Sequence, residues 1–157
     1  MRPTIEGKLI VSSPEDMGWL LLLMRNFRDA VQYAYSLLRR GVPEREVVKL
    51  LTSKILNNSH YSYSALQRAK LYLNQSRLKL RKPQLFSAGK GCGRGNRNVR
   101  FLSVNKAKIK IPSATGKHRW ITCEVRFGEK YIPVIEELIN SNVPYGAGIY
   151  VKKGGIE

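Results

Sequence analysis

The sequence predicts an α+β fold, a β-barrel-like module interrupted by an inserted three-helix domain. Three observations predict it. Residues 4–11 alternate with a period of two, the period lengthens to that of a helix after Ser12, and it shortens again after Pro83. The boundaries follow from those switches: 1–12 with 86–157 form the strand module, and 13–85 form the helical insertion.

In the first strand Ile5, Gly7, Leu9 and Val11 share one face and Thr4, Glu6, Lys8 and Ile10 the other. Ser13 can cap the helix that follows, Pro14 suits its first position, and Glu15 and Asp16 complement the positive end of its dipole. Leu20, Leu23, Met24, Phe27, Val31, Ala34, Tyr35 and Leu38 form its apolar stripe, and Gly41 ends it. A second helix opens at Pro43-Glu44, buries Val47, Leu50, Leu51 and Ile55, and breaks at Asn57-Asn58-Ser59. A third is expected from about Ser62 to Lys82, burying Leu66, Ala69, Leu73 and Leu80.

Beyond Pro83, residues 87–98 read as a flexible basic loop with glycines at 89, 91, 93 and 95. Ala107, Ile109 and Ile111 then alternate with a lysine row at 106, 108 and 110. His118 to Phe127 alternates likewise, with Ile121, Cys123, Val125 and Phe127 inward and Trp120 outward. A short helix at 133–140 and a strand at 145–151 complete the order. Lys152-Lys153-Gly154-Gly155 reads as a hairpin turn with only Ile156 and Glu157 after it, so the expectation is a chain that stops as its last hairpin begins.

Charge points to function. No acidic residue lies between Glu46 and Glu124, and the 77 residues of that gap carry 17 Lys and Arg. Most of the formal net charge of +17 falls in residues 59–127, where 16 basic residues face one acid, Glu124. A field of one sign repels itself and attracts polyanions, so nucleic acid is the expected partner. A solvated basic face or a dock for an acidic protein are the plainer alternatives. The longest apolar run, Trp19 to Met24, is too short to cross a membrane, and no signal-peptide order is present. Two cysteines 31 positions apart form no disulfide framework, which suits a cytoplasmic protein.

Catalytic and metal readings are weaker. His60, Cys92, His118 and Cys123 lack the spacing of zinc ligands, and Cys123 falls on an apolar strand face. The glycine loop is not a P-loop, because it lacks GxxxxGK[ST] and does not open a helix. The 11 acids form no cluster suited to divalent metal, so a non-enzyme without cofactor is expected. The expected contacts to nucleic acid are Arg68, Lys70, Arg77, Lys79, Arg81 and Lys82 on the third helix. Lys90, Arg94, Arg97 and Arg100 follow on the loop and beyond it, then Lys106, Lys108, Lys110, Lys117 and Arg119. Arg77, Lys79, Arg81 and Lys82 are expected beside the lysine row, in one groove. Tyr61 and Trp120 are the stacking candidates, with Tyr63 nearby, and Tyr72 reads as core.

The Ser13-Pro14-Glu15-Asp16 start, Phe27-Arg28-Asp29-Ala30, Ser64-Ala65-Leu66-Gln67-Arg68-Ala69, Lys82-Pro83, Ile109-Lys110-Ile111-Pro112 with Trp120, and Tyr145-Gly146-Ala147 resemble the TnpB (OrfB) family. Its members are transposon-encoded RNA-guided nucleases related to type V CRISPR effectors. The likeness runs through the whole chain and rests on pattern and order. It implies that the strands are a wedge (WED) barrel and the helices a recognition (REC) domain, gripping guide RNA and target-adjacent DNA. It also implies that cleavage belongs to a RuvC-like domain of which this chain holds nothing. On the resemblance, Tyr63, Gln67 and Arg68 face the target-adjacent DNA, since Gln and Arg can read base edges. The other readings are a helix-turn-helix regulator, built on 42–54 and 62–80, and a structural protein of a ribonucleoprotein particle.

Overall fold

Seven strands and four α-helices are present in the computed structural model, which describes residues 5–89, 96–112, 119–141, 144–152 and 155–156. The elements run β1 (Gly7–Ile10), α1 (Pro14–Arg39), α2 (Glu44–Leu51), α3 (Ser59–Lys70), β2 (Gln84–Ser87), β3 (Val99–Ser103), β4 (Lys106–Ile111), β5 (Arg119–Phe127), α4 (Ile132–Ser141), β6 (Ala147–Lys152) and β7 (Gly155–Ile156). None of the described helices is long and apolar enough to cross a membrane.

The helix ends follow the sequence signals. Ser13 accepts the Asp16 N–H at α1's start. At its end Gly41 takes φ +85°, while Val42 N donates to Leu37 O and Gly41 N to Leu38 O, a glycine-terminated cap. After α2 the chain widens into a π-helical turn, Thr52–Leu56, which Asn57 closes in the left-handed region at φ 49°. Asn58 then caps α3, accepting from Tyr61 N at 2.8 Å.

β1 pairs with β5 in antiparallel register, Gly7 opposite Phe127 and Ile10 opposite Glu124, so the N-terminal strand does join the later ones. Among the described residues the strand order is β2-β6-β7-β1-β5-β4-β3, all antiparallel, with β7 between β6 and β1 through Ile156. The ladder does not close into a barrel. Side chains join its two ends instead. Tyr145 Oη accepts from Phe101 N and donates to Val99 O, covering edge groups of β3. Asn96 Nδ2 donates to Ser87 O at the end of β2 and to Tyr145 O, both at 2.8 Å. One buried cluster runs through α1 (Leu20, Met24, Phe27), α3 (Ala65, Leu66) and the strands (Leu85, Ile109, Ile121, Ile149).

The third helix is shorter than expected, ending at Lys70 rather than near Lys82. Successive i→i+3 bonds (Leu71 N to Arg68 O, Tyr72 N to Ala69 O) unwind it. A polar stripe on α1 then takes over. Arg28, Gln32, Tyr35 and Arg39 lie at i, i+4, i+7 and i+11 on one face. Arg39 donates to Leu73 O and Gln75 O, Tyr35 Oη to Gln75 O, and Arg28 to Arg81 O. Gln32 pairs twice, donating to Leu78 O at 2.7 Å and accepting from Leu80 N at 3.0 Å. Four like charges at 77, 79, 81 and 82 would disfavour continued helix only slightly, by tenths of a kcal/mol per pair. The side-chain partners on α1 decide the matter. β2 is an element beyond those expected; a four-residue strand after Pro83 carries too little pattern to be seen in sequence.

Gln32→Ala should therefore cost about 1–3 kcal/mol in urea unfolding, since it orphans two part-buried backbone groups. It should also open the 73–81 segment to limited proteolysis before the rest of the chain.

Candidate nucleic-acid interface

β4 and β5 alternate as their sequences require. Ala107, Ile109, Ile111, Ile121 and Cys123 are buried, and Lys106, Lys108, Lys110 and Trp120 stand on the opposite face. Register does the rest. Lys110 lies opposite Trp120, Lys108 opposite Thr122, and Arg100 of β3 opposite Lys108. Lys108 Nζ sits 4.6 Å and Lys110 Nζ 5.2 Å from the Trp120 ring centre, with the Arg100 guanidinium at 5.4 Å. Each contact at a part-exposed site contributes about 0.5–1 kcal/mol. Farther along the same face Glu124 is engaged by Arg126 at 3.1 Å, and Lys8 lies opposite Arg126.

Lys110 also lines a polar cleft of about 280 Å³ with Asn57, Asn58, Ser59, His60, Arg97 and Asn98. Its ammonium is held below the usual lysine range, first by partial burial and then by Arg100 and Arg97. His60 is likewise lowered by burial, against the opposing hydrogen bond to Ala88 O, with Arg97 and Lys110 lowering it further.

The other expected contacts are dispersed. Arg77, Lys79, Arg81 and Lys82 are exposed, but they stand on the irregular segment laid along α1, not on a helix. That segment is held from Arg28 onward, whereas the β4–β5 end meets α1 at Glu15 and Asp16, about 18 Å away along the helix. Arg119 pairs with both carboxylates, at 3.4 and 3.5 Å, and lies over Trp19. Lys70 pairs with Glu44 at 3.0 Å. Arg68 stacks on Phe86 at 4.1 Å and donates to Tyr150 Oη at 2.7 Å, leaving its enclosed Nε with no partner among the described residues. Gln67 and Tyr63 are half-buried on α3. Lys90, Arg94 and Lys117 lie outside the described residues, as do Cys92 and His118.

Tyr61 must be corrected. It is 0% exposed, and its hydroxyl donates to Lys110 O at 2.9 Å, so no base can reach the ring. Its phenol is pushed well up by burial alone. Tyr72 packs against the core, as expected. Cys123 is buried, and burial with the Asp16 carboxylate pushes its thiol up to about 11. Among the described residues no three His, Cys, Asp or Glu side chains come close enough to share a metal ion.

Asn57, Asn58 and Ser59 read in sequence only as a helix break, and His60 only as a metal-ligand candidate whose spacing rules it out, so this cleft escapes sequence reasoning. Its signal is the coincidence of a helix start with basic strand residues, which becomes visible only once α3 and β4 are adjacent.

Fold and face together define a mixed α+β domain with one strongly basic strand face centred on a tryptophan. The chain belongs to the family described as the SSO2105 N-terminal domain, which it matches over residues 2–156. No curated protein and no solved structure matches it.

Tyr61→Phe is expected to lose about 1 kcal/mol of stability, the net worth of its hydrogen bond. A chemical melt measures the loss, and the overall fold should persist because the ring stays in the core.

Proposed function

We propose that this domain binds nucleic acid, RNA or an RNA–DNA duplex, through the β3–β4–β5 face and does not cut it. The carrying observation is the Trp120 ring with Lys108, Lys110 and Arg100 gathered 4.6, 5.2 and 5.4 Å from its centre on the part-exposed outer strand face. A phosphate backbone would draw those cations off the ring, and the freed aromatic surface would accept a base, worth about 1–3 kcal/mol. In this reading the strands correspond to a wedge-type module and residues 13–85 to a recognition-type insertion, as in TnpB-like proteins, and the setting is cytoplasmic. Tyr63, Gln67 and Arg68 are proposed for base readout, with Arg68 held ready by Phe86 and Tyr150.

A helix-turn-helix regulator is less well supported. Its recognition helix would be α3, yet Tyr61, Ser62, Ser64, Ala65, Leu66 and Ala69 are all buried. A helix packed on that many sides leaves only a narrow strip, with Tyr63, Gln67 and Arg68 on it, and cannot lie along its length in a major groove.

The test is binding of single-stranded RNA, structured RNA and duplex DNA across a salt series. Affinity should fall steeply with salt, and Arg100→Ala with Lys108→Ala should shrink the slope of log K by about 0.7–0.9 for each phosphate no longer neutralised. With Trp19→Phe leaving Trp120 as sole indole, its fluorescence should be quenched on binding. Binding indifferent to salt, or unchanged in the double variant, would sink the proposal. Magnesium-dependent cleavage abolished by one carboxylate substitution would overturn its non-catalytic part.

A further inference from the structure

The cleft beside Trp120 is built from groups that suit an anion. His60 of α3, Arg97 before β3 and Lys110 of β4 supply three side chains able to carry positive charge, and Asn57, Asn58, Ser59 and Asn98 complete the lining without a carboxylate. The helix start contributes little of this charge, since Asn58 already accepts its Tyr61 N–H. Lys110 belongs to both features, lining the cleft and lying 5.2 Å from the Trp120 ring centre. Resting on the nucleic-acid reading above, we propose that this cleft holds one phosphate group of the bound strand while the adjoining base covers Trp120, with Lys110 serving both.

His60 makes the site readable. Ala88 O, 2.7 Å from its Nε2, can only accept, so Nε2 carries a proton in either charge state and the second proton enters at Nδ1. Burial, Arg97 and Lys110 disfavour that second proton. Tyr63 is its aromatic neighbour, and Arg100 adds its charge at Lys110. A phosphate between these cations reverses the balance and raises the His60 pKa. The bound state then holds more proton than the free state, so affinity rises as pH falls between the two values and is flat outside them.

The experiment follows the imidazole signals of the full chain by NMR across pH, alone, with sodium phosphate, and with a short single-stranded RNA carrying or lacking a 5′-phosphate. His60→Gln separates the two histidines. The expected result is an upward shift of the His60 titration by phosphate and by RNA. RNA affinity should rise up to about tenfold per pH unit within the window, a dependence that Lys110→Gln or Arg97→Gln diminishes. A larger shift with the 5′-phosphorylated strand assigns a terminal phosphate, and equal shifts assign an internal one. Salt-dependent RNA binding with an unmoved His60 titration overturns the cleft and leaves the proposed function standing. A shift with inorganic phosphate but none with RNA makes the cleft a small-anion site and overturns its assignment to nucleic acid. Failure of both this RNA and an RNA–DNA duplex to bind at any salt removes both readings. The titration itself is read on the unaltered chain, and His60→Gln serves only to assign the signals.

Discussion

Two buried asparagines hold the parts of this domain in register. Asn96 and Asn98 are enclosed, so every polar atom of their amides must be paired within the protein or left at a cost of about 1–3 kcal/mol. Asn96 Oδ1 accepts from Ser87 Oγ, Asn98 N and Val99 N, and its Nδ2 donates to Ser87 O and Tyr145 O. Asn58 Nδ2 donates to Asn98 Oδ1 at 3.2 Å. The end of β2, the start of β3, the approach to β6 and the start of α3 thus meet at one polar knot. No pair of those segments could move apart without orphaning a buried group.

The candidate site depends on that knot directly. Asn98 O accepts from Lys110 N at 2.8 Å, and Tyr61, whose N–H is capped by Asn58, donates to Lys110 O. Both backbone groups of Lys110 are therefore fixed by the network that starts α3. Core hydrogen bonding thus sets the backbone point from which its side chain leaves toward the Trp120 ring and the cleft. Fixing the backbone removes one route by which the chain could relieve the repulsion from Arg100 and Arg97. Crowded positive charge of this kind costs free energy in the isolated domain, and an anion would recover it.

A second constraint is the stripe of Arg28, Gln32, Tyr35 and Arg39 on α1. By pairing with backbone groups between Leu73 and Arg81, it substitutes side-chain hydrogen bonds for helical ones over a segment whose own periodicity favours helix. The consequence is a different placement of charge, since it keeps Arg77 and Arg81 off the helix face on which they would have aligned, and Lys79 and Lys82 off the same helix. Among the described residues these four stand on a strap along α1, while Arg100, Lys108 and Lys110 gather on the strand face beside the cleft.

Sequence by itself determined whatever rests on local periodicity and on terminal signals. The caps at Ser13 and Gly41, the buried sides of β4 and β5, the outward lysine row with Trp120, and the return of the chain to β1 were all legible. Each is encoded within a few residues or by a repeated alternation. Tertiary structure alone decided the length of α3, the burial of Tyr61 and the open strand ladder with its side-chain closure. It also decided the meeting of His60, Arg97 and Lys110 in one cleft. Those outcomes rest on partners tens of residues apart, such as Gln32 with Leu78 or Asn58 with Asn98. A buried polar group takes the partner that packing brings to it, and a single chain read in order does not reveal which that will be.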